Sequence, residues 1–291
     1  MNVHARNKVV LLSAFLSYVL LVSSAQDVGY SILNGNWHLT GGPELSQYPA
    51  LDITLGVDGT TIYGEGHLQV ECMKYMAGLD VFVVGTIAPD GTFVLTNNPP
   101  YSSNEVTIRG SVPSPESREW QGSFRTQIKG HDFDNCSPAQ GDIVAKPFPP
   151  LKGVFSGVLD VSDHSKTEIS LEIAQGQLIS SSSRSPHFSH CVPLNVRMTI
   201  SDSSSFPAGV FTTDGNTLPQ NCNDRMSGNH FEQRFTLTDG STLSLHGAYR
   251  YADLDRLDIT LSTNLRQLPK DPTDPKEQPS FLHAAGRLTR R

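Results

Sequence analysis

Residues 33–40, Leu-Asn-Gly-Asn-Trp-His-Leu-Thr, open a unit that the rest of the chain repeats. The same spacing of leucine, glycine and aromatic residue recurs at 151–157, Leu-Lys-Gly-Val-Phe-Ser-Gly, 118 positions later. Trp37 therefore corresponds to Phe155, and we expect both rings to be structural aromatics near the start of a folding unit. The repeat predicts a chain of two similar halves.

The repeat continues as a pattern of β-strands. Apolar and polar residues alternate along 50–57, which is the period of a strand with one buried face. Its apolar positions fall on those of 169–173 at the offset of 118, and Cys72 falls on Cys191 at an offset of 119. We therefore treat the two cysteines as equivalent positions.

Extra segments make the second half longer than the first. Residues 106–128 match 243–265 in apolar parity, now at an offset of 137. We therefore place additional residues around 206–225, and a second, Pro-rich insertion at 269–279. Residues 281–290 are then expected to be the closing strand, with a short terminal helix as the alternative.

One irregularity is expected in the first half. Asp58-Gly59 is a hairpin signal, and the strand that returns from it carries Gly64 and Gly66 on its apolar parity. Glycines at interior strand positions often mark a bend or a bulge, so we predict one there.

The resulting fold class is all-β. Each half contains seven or eight short strands with turn signals between them, which predicts two tandem antiparallel meander barrels or sandwiches. The Pro-rich stretch 146–150 is interpreted as a stiff linker between a first domain, 26–146, and a second domain, 151–291.

Gly35-Asn36-Trp37 resembles the G-x-W opening of the lipocalin and avidin-type barrels, the calycin group. The resemblance implies that Trp37 plugs the closed end of a barrel. The second half departs from the motif with Gly153-Val154-Phe155. The whole layout also resembles exported bacterial tandem-β proteins of unassigned activity, which implies a location and a form but no reaction.

The first 25 residues have the organisation of a secretory signal peptide. Arg6 and Lys8 precede an apolar run at 9–22, and Ser23-Ser24-Ala25 is a small-residue cleavage site. The apolar run is shorter than the roughly 20 residues that a bilayer span needs, so a retained membrane anchor is the less favoured alternative. We expect a secreted or periplasmic protein with no integral membrane segment after cleavage.

Charge excludes one class of partner. The chain carries 22 Lys and Arg against 29 Asp and Glu, and removal of Arg6 and Lys8 with the signal leaves 20 against 29. Nucleic-acid binding needs a basic surface, so no nucleic-acid partner is expected.

The four cysteines indicate two disulfides in an oxidising compartment. We expect Cys72 to pair with Cys136 and Cys191 with Cys222, because each half then contains its own bond. No C-x-x-C spacing is present, and no cofactor is expected.

Few residues suggest chemistry. His187 and His190 lie three apart beside Cys191 and are the best candidates for metal ligands, although a Ser-rich loop is the more ordinary reading. No nucleophile elbow, zincin motif or phosphate-binding loop occurs, and the catalytic residues are unknown.

Three functions are therefore open. The leading hypothesis is a non-enzymatic binding protein whose barrels hold a small apolar or carbohydrate ligand, including a polysaccharide segment. The alternative is a structural or adhesion module with filled cores, and a secreted hydrolase is third. A cavity inside the barrels favours the first function, a filled core the second, and acidic residues converging in a cleft the third.

Export predicts that the mature protein begins at Gln26. Intact-mass measurement or N-terminal sequencing of protein secreted by its host should find this terminus. A stable membrane-bound form that retains Met1 would refute the cleavage.

The disulfide pairing predicts two cross-linked peptides in a non-reducing digest, one for each half of the chain. In the chain-entropy model, reduction of Cys72–Cys136 should lower stability by about 4 kcal/mol. A peptide that joins Cys136 to Cys191 would overturn both the pairing and the two-domain organisation.

Overall fold

The computed structural model describes residues 30–72, 78–97, 104–128, 136–180, 190–201, 203, 205–213, 225–238, 240–264 and 281–291. Within them the regular elements are two one-turn 3-10 helices, Ser31–Leu33 and Pro43–Leu45, and eighteen strands. No helix among the described residues is long and apolar enough to cross a membrane. The predicted signal peptide lies outside the described residues.

The first half is a closed antiparallel barrel in which the strands follow chain order and the last pairs with the first. The barrel form is thus confirmed over the sandwich. Its strands are β1 Gly35–Gly41, β2 Ala50–Asp58, β3 Thr61–Gln69, β4 Gly78–Ile87, β5 Thr92–Asn97, β6 Glu105–Ser111, β7 Trp120–Gln127 and β8 Ala139–Pro147.

The second half closes in the same way, because β10 pairs with β12 as well as with β9. Two short strands, β11 and β13, pair with β12 outside this ring of eight. The strands are β9 Lys152–Val161, β10 Lys166–Gln175, β11 Ile179–Ser180, β12 His190–Ile200, β13 Gly209–Thr212, β14 Arg225–Ser227, β15 His230–Thr236, β16 Thr242–Arg250, β17 Asp253–Asn264 and β18 Phe281–Arg290. The terminal segment is therefore a strand, as predicted, and the helical alternative is wrong.

Equivalent side chains make the same contact in the two barrels. Phe93 pairs with Gly110 between β5 and β6, and Phe231 pairs with Gly247 between β15 and β16. In each pair the phenyl ring occupies the space that a Cβ on the glycine would need. A repeated ring-over-glycine contact is specific, because any larger residue would displace the ring. It agrees with a duplicated unit.

The structural aromatics occupy equivalent positions. Trp37 and Phe155 are both buried on the first strand of their barrels. Trp37 Nε1 donates to the carbonyl of Leu33 at 2.7 Å, whereas the Arg290 guanidinium lies 4.8 Å from the centre of the Phe155 ring. Each ring thus has a polar partner, supplied by a different part of the chain in each half.

The predicted equivalence of Cys72 and Cys191 is wrong. Leu68 on β3 pairs with Leu51, and Ile200 on β12 pairs with Ile169, which is the equivalent of Leu51. Leu68 is therefore equivalent to Ile200, and the equivalent of Cys72 lies past the end of β12. Cys191 is near the start of that strand. Part of the additional length therefore precedes Cys191, between β10 and β12. Parity alone missed this because strands of equal period can be aligned in several registers.

The predicted bulge at Gly64 and Gly66 is also absent. Both residues pair in continuous register with β2 and β4. A Cβ at Gly66 would lie 2.1 Å from the carbonyl oxygen of Asp52. Glycine is needed there for close packing of two strands and not for an irregular ladder.

Apolar side chains occupy the interior of both barrels in the described part of the chain. Leu45 and Tyr48, between β1 and β2, are fully buried in the first core, and Tyr48 Oη donates to the carbonyl of Ser137 at 3.0 Å. Phe206, after β12, is buried in the second core. These residues cover one end of each barrel.

The disulfide Cys72–Cys136 is present, as predicted. It joins the segment after β3 to the segment before β8. Cys191 is also disulfide-bonded, but its predicted partner Cys222 lies outside the described residues, so that pairing stays a prediction.

The linker is not a free spacer. Lys146 and Pro147 are still paired with β1, and Phe148 is buried in the core of the second barrel. The Phe148 ring contacts Tyr249 and Tyr251 edge-on, with ring centres 5.1 and 5.2 Å apart. The connection therefore helps to fix one barrel against the other.

The outer face of β1 and β2 contacts the second barrel. Its polar residues Asn36, Asp52 and Thr54 are 5%, 1% and 5% exposed, although alternation predicts that this face meets solvent. Thr54 Oγ1 donates to Asn36 Oδ1 at 2.6 Å and accepts the N–H of Gly228 at 2.8 Å. The expectation of a half-buried β2 is therefore wrong, because the second barrel covers its polar face.

Gly228 offers a test of this contact. It has a φ of +59°, and a Cβ there would lie 2.1 Å from the Asp52 carbonyl oxygen. Gly59 has the same φ, with nothing within 4 Å of its Cβ position, and is a matched control. Gly59→Ala should cost about 1–2 kcal/mol for the left-handed backbone alone.

We expect Gly228→Ala to cost about 2 kcal/mol more than Gly59→Ala, because the methyl group also forces the barrels apart. Urea unfolding measures the cost, and small-angle X-ray scattering should show a larger radius of gyration for Gly228→Ala only. Equal losses with unchanged scattering would contradict this docking.

Candidate functional site

A cleft of about 1150 Å³ lies between the outer surfaces of the two barrels. Strands β15 to β18 of the second barrel form its floor, and β3 and β4 of the first barrel form one wall. The polar side chains of its lining point away from the barrel interiors, so the shape of the cleft depends on how the two barrels are docked.

Two rows of side chains cross the floor from β15 to β18, as the strand registers require. Ala248 and Ala285 occupy one position in each row and keep the floor low, whereas longer polar side chains stand around them. The first row is His230, Ala248, Asp258 and Arg287, and the second is Glu232, His246, Thr260 and Ala285.

The wall consists of two cross-strand pairs of side chains on β3 and β4. His67 is paired with Asp80, and Glu65 with Phe82. His67 Nδ1 lies 3.4 Å from Asp80 Oδ1, and the Asp80 side chain is 80% exposed. Phe82 provides an aromatic surface beside the polar groups.

Wall and floor meet at a pair of histidines. The ring centres of His67 and His230 are 4.3 Å apart, with 49° between the ring planes. Burial lowers the pKa of His230 to about 4, and the neighbouring His67 adds to the effect, while Asp52 and Asp80 oppose it. Among the described residues, His230 Nδ1 has no hydrogen-bond partner.

The charges of the cleft are unequal. Its lining includes four carboxylates, on Glu65, Asp80, Glu232 and Asp258, against the guanidinium groups of Arg234 and Arg287. Arg287 Nε donates to Asp258 Oδ1 at 2.7 Å, and Arg234 lies 3.6 Å from Glu232. The cleft therefore offers many hydrogen-bonding groups with a net negative charge.

The metal candidates from the sequence were His187 and His190. His187 lies outside the described residues, and His190 is the first residue of β12, where it pairs with Ser180. In the described ranges, no three His, Cys, Asp or Glu side chains are placed to hold a metal ion.

Sequence reasoning missed the lining of the cleft. Each of its polar residues lies at an outward position of an alternating strand, which is the ordinary place for a solvated side chain. One signal was available: His67, His230 and His246 all occupy outward strand positions. It could not have shown that His67 and His230 meet.

Comparison with known proteins does not assign the chain to a family. No protein-family model matches the chain, and no curated protein matches it significantly.

Proposed function

We propose that this is a non-enzymatic, secreted or periplasmic binding protein that holds a short segment of a neutral carbohydrate between its two barrels. The observation that carries the proposal is the polar inter-barrel cleft, beside barrel interiors that side chains occupy. The volume is near the range of about 300–1,000 Å³ that is typical of small-ligand sites. The sequence hypothesis of a ligand inside each barrel is replaced by one ligand between them.

The polarity of the cleft favours a carbohydrate over an apolar ligand. An apolar molecule would remove carboxylate, guanidinium and imidazole groups from water without replacing their hydrogen bonds, which is costly. A sugar hydroxyl both donates and accepts, so it can bond to Glu232, Arg234 and His246 alike. Phe82 adds a ring face on which a sugar ring can pack.

The net charge favours a neutral ligand over an anionic one. Four carboxylates outnumber two guanidinium groups, each of which is already paired with a carboxylate, so the net negative charge repels phosphate and sulfate groups. A cationic peptide would be attracted by the carboxylates, but its positive groups would be repelled by the two arginines of the cleft. A neutral polyhydroxyl compound satisfies both kinds of group.

The compartment fits the proposal. The Cys72–Cys136 disulfide supports an oxidising environment outside the cytosol, where free and polymeric carbohydrates occur. The calycin resemblance remains part of the proposal, supported by the closed eight-strand meander and the buried Trp37.

A second function has its own support. The apolar side chains inside both barrels in the described residues support a structural or adhesion module, in which the barrels only carry their outer surfaces. That module would contact a polymer or a surface without saturable binding of short sugars. Binding of a short oligosaccharide separates the two functions.

A bulky residue on the floor tests the site. Ala285→Trp should fill the low part of the cleft and reduce the affinity for a bound neutral oligosaccharide at least tenfold, because the indole occupies the ligand's position. Ala174→Trp is the matched control, since Ala174 is also exposed on a strand of the same barrel, β10, and lies outside the cleft.

Calorimetric titration with a panel of short neutral oligosaccharides measures both variants. Wild-type binding that survives in Ala174→Trp and is lost in Ala285→Trp supports the proposal. Equal affinities in all three proteins would move the site elsewhere. Failure to bind any neutral sugar, with binding to a cationic peptide, would refute the carbohydrate assignment.

A further inference from the structure

The His67–His230 contact lies where the two barrels meet, at the base of the cleft. The two rings come from different barrels and are 4.3 Å apart between centres. The His67 side chain is 24% exposed, and His230 Nδ1 has no partner among the described residues. Two uncharged imidazoles can pack in this way, but two imidazolium ions would repel each other in a poorly hydrated place.

The surrounding charges do not remove this conflict. His230 on β15 faces His67 on β3, Asp80 on β4 and Asp52 on β2, and Asp52 is itself hydrogen-bonded to His38 at 2.5 Å. On the second barrel, Glu232 follows on its own strand, and His246 lies beyond Glu232 on β16. The carboxylates favour a proton on His230, yet burial and His67 outweigh them and lower its pKa.

We propose that the His67–His230 contact is a proton-sensitive latch: acidification separates the two barrels at this point, opens the cleft and thereby releases its ligand. The release step rests on the proposed function, whereas the separation of the barrels does not. The device would let one protein bind its carbohydrate near neutral pH and lose it in an acidic medium.

The direction of the effect follows from linkage. The docked form keeps His230 neutral down to a pKa of about 4, whereas a solvated histidine accepts a proton near 6.5. The contribution of His230 to the stability of the docked form is therefore complete above pH 6.5, and it is lost progressively as the pH falls toward 4. Each pH unit in this window shifts the equilibrium up to about tenfold toward the open form, or roughly 300-fold over the whole window.

The rest of the interface is of a kind that can open. Interfaces between domains of one chain are commonly polar and permit relative motion. Here Thr54 donates to Asn36 and accepts the N–H of Gly228, and Asn36 Nδ2 donates to Met226 Sδ at 3.8 Å. Water can replace such bonds when the barrels separate at the cleft, whereas Phe148 stays in the second core and keeps the barrels joined at the linker.

Small-angle X-ray scattering of the full chain between pH 7.5 and 4.5 tests the latch, with far-UV circular dichroism recorded on the same samples. We expect the radius of gyration to rise below pH 6.5 while the β-sheet signal stays constant. His230→Gln keeps a polar side chain but takes up no proton, so its radius should stay constant. His283→Gln is the control, because this exposed histidine on β18 is not part of the cleft lining and the variant should open like the wild type.

A wild-type radius that is unchanged at pH 4.5, or opening of His230→Gln at the same pH as the wild type, would overturn the latch. So would loss of the sheet signal together with the increase in radius, because acid would then be unfolding the barrels. If His230→Gln does not fold, His67→Gln removes the other half of the pair and should open at lower pH than the wild type.

The two proposals fail in different ways. A chain that opens in acid but binds no neutral oligosaccharide at pH 7.5 keeps the latch and refutes the binding function. A chain that binds the sugar equally at pH 7.5 and 4.5 and does not open keeps the function and refutes the latch.

Discussion

The hydrogen bonds at Thr54 Oγ1 are the interaction on which the arrangement of the protein depends. This hydroxyl lies on the outer face of a barrel strand, and it bonds at once to Asn36 and to the backbone of Gly228 in the other barrel. A buried hydroxyl without partners is costly, so the covered face of β2 is stable only while the second barrel supplies them. The cleft exists because the barrels are held in this relation.

The described interiors of the two barrels are apolar. Their inward side chains form two apolar clusters in the described residues, and Leu45 and Tyr48 in the first barrel and Phe206 in the second cover one end of each. An eight-stranded barrel has an interior just wide enough for side chains to fill. The polar side chains lie on the outer surfaces, and here the outer surfaces of the two barrels face each other across a polar cleft.

The same geometry joins binding to docking. His67 and His230 belong both to the lining of the cleft and to the contact between the barrels. Asp52 is buried and pairs with His67, and its bond to the half-buried His38 connects this contact to the aromatic group of Phe148 and Tyr251. A ligand that bridges wall and floor would stabilise the docked form, and whatever weakens docking would weaken its binding by the same free energy.

The sequence alone determined the all-β class, the two halves and the first disulfide, because alternation, turn residues and cysteine positions are local signals. Trp37 and Phe155 were recognisable as equivalent for the same reason. Only the tertiary structure decided that Asn36, Asp52 and Thr54 are buried, that Phe148 belongs to the second core and that His67 meets His230. Period-two alternation tells which residues leave the barrel interior, but it cannot tell whether water or another barrel receives them.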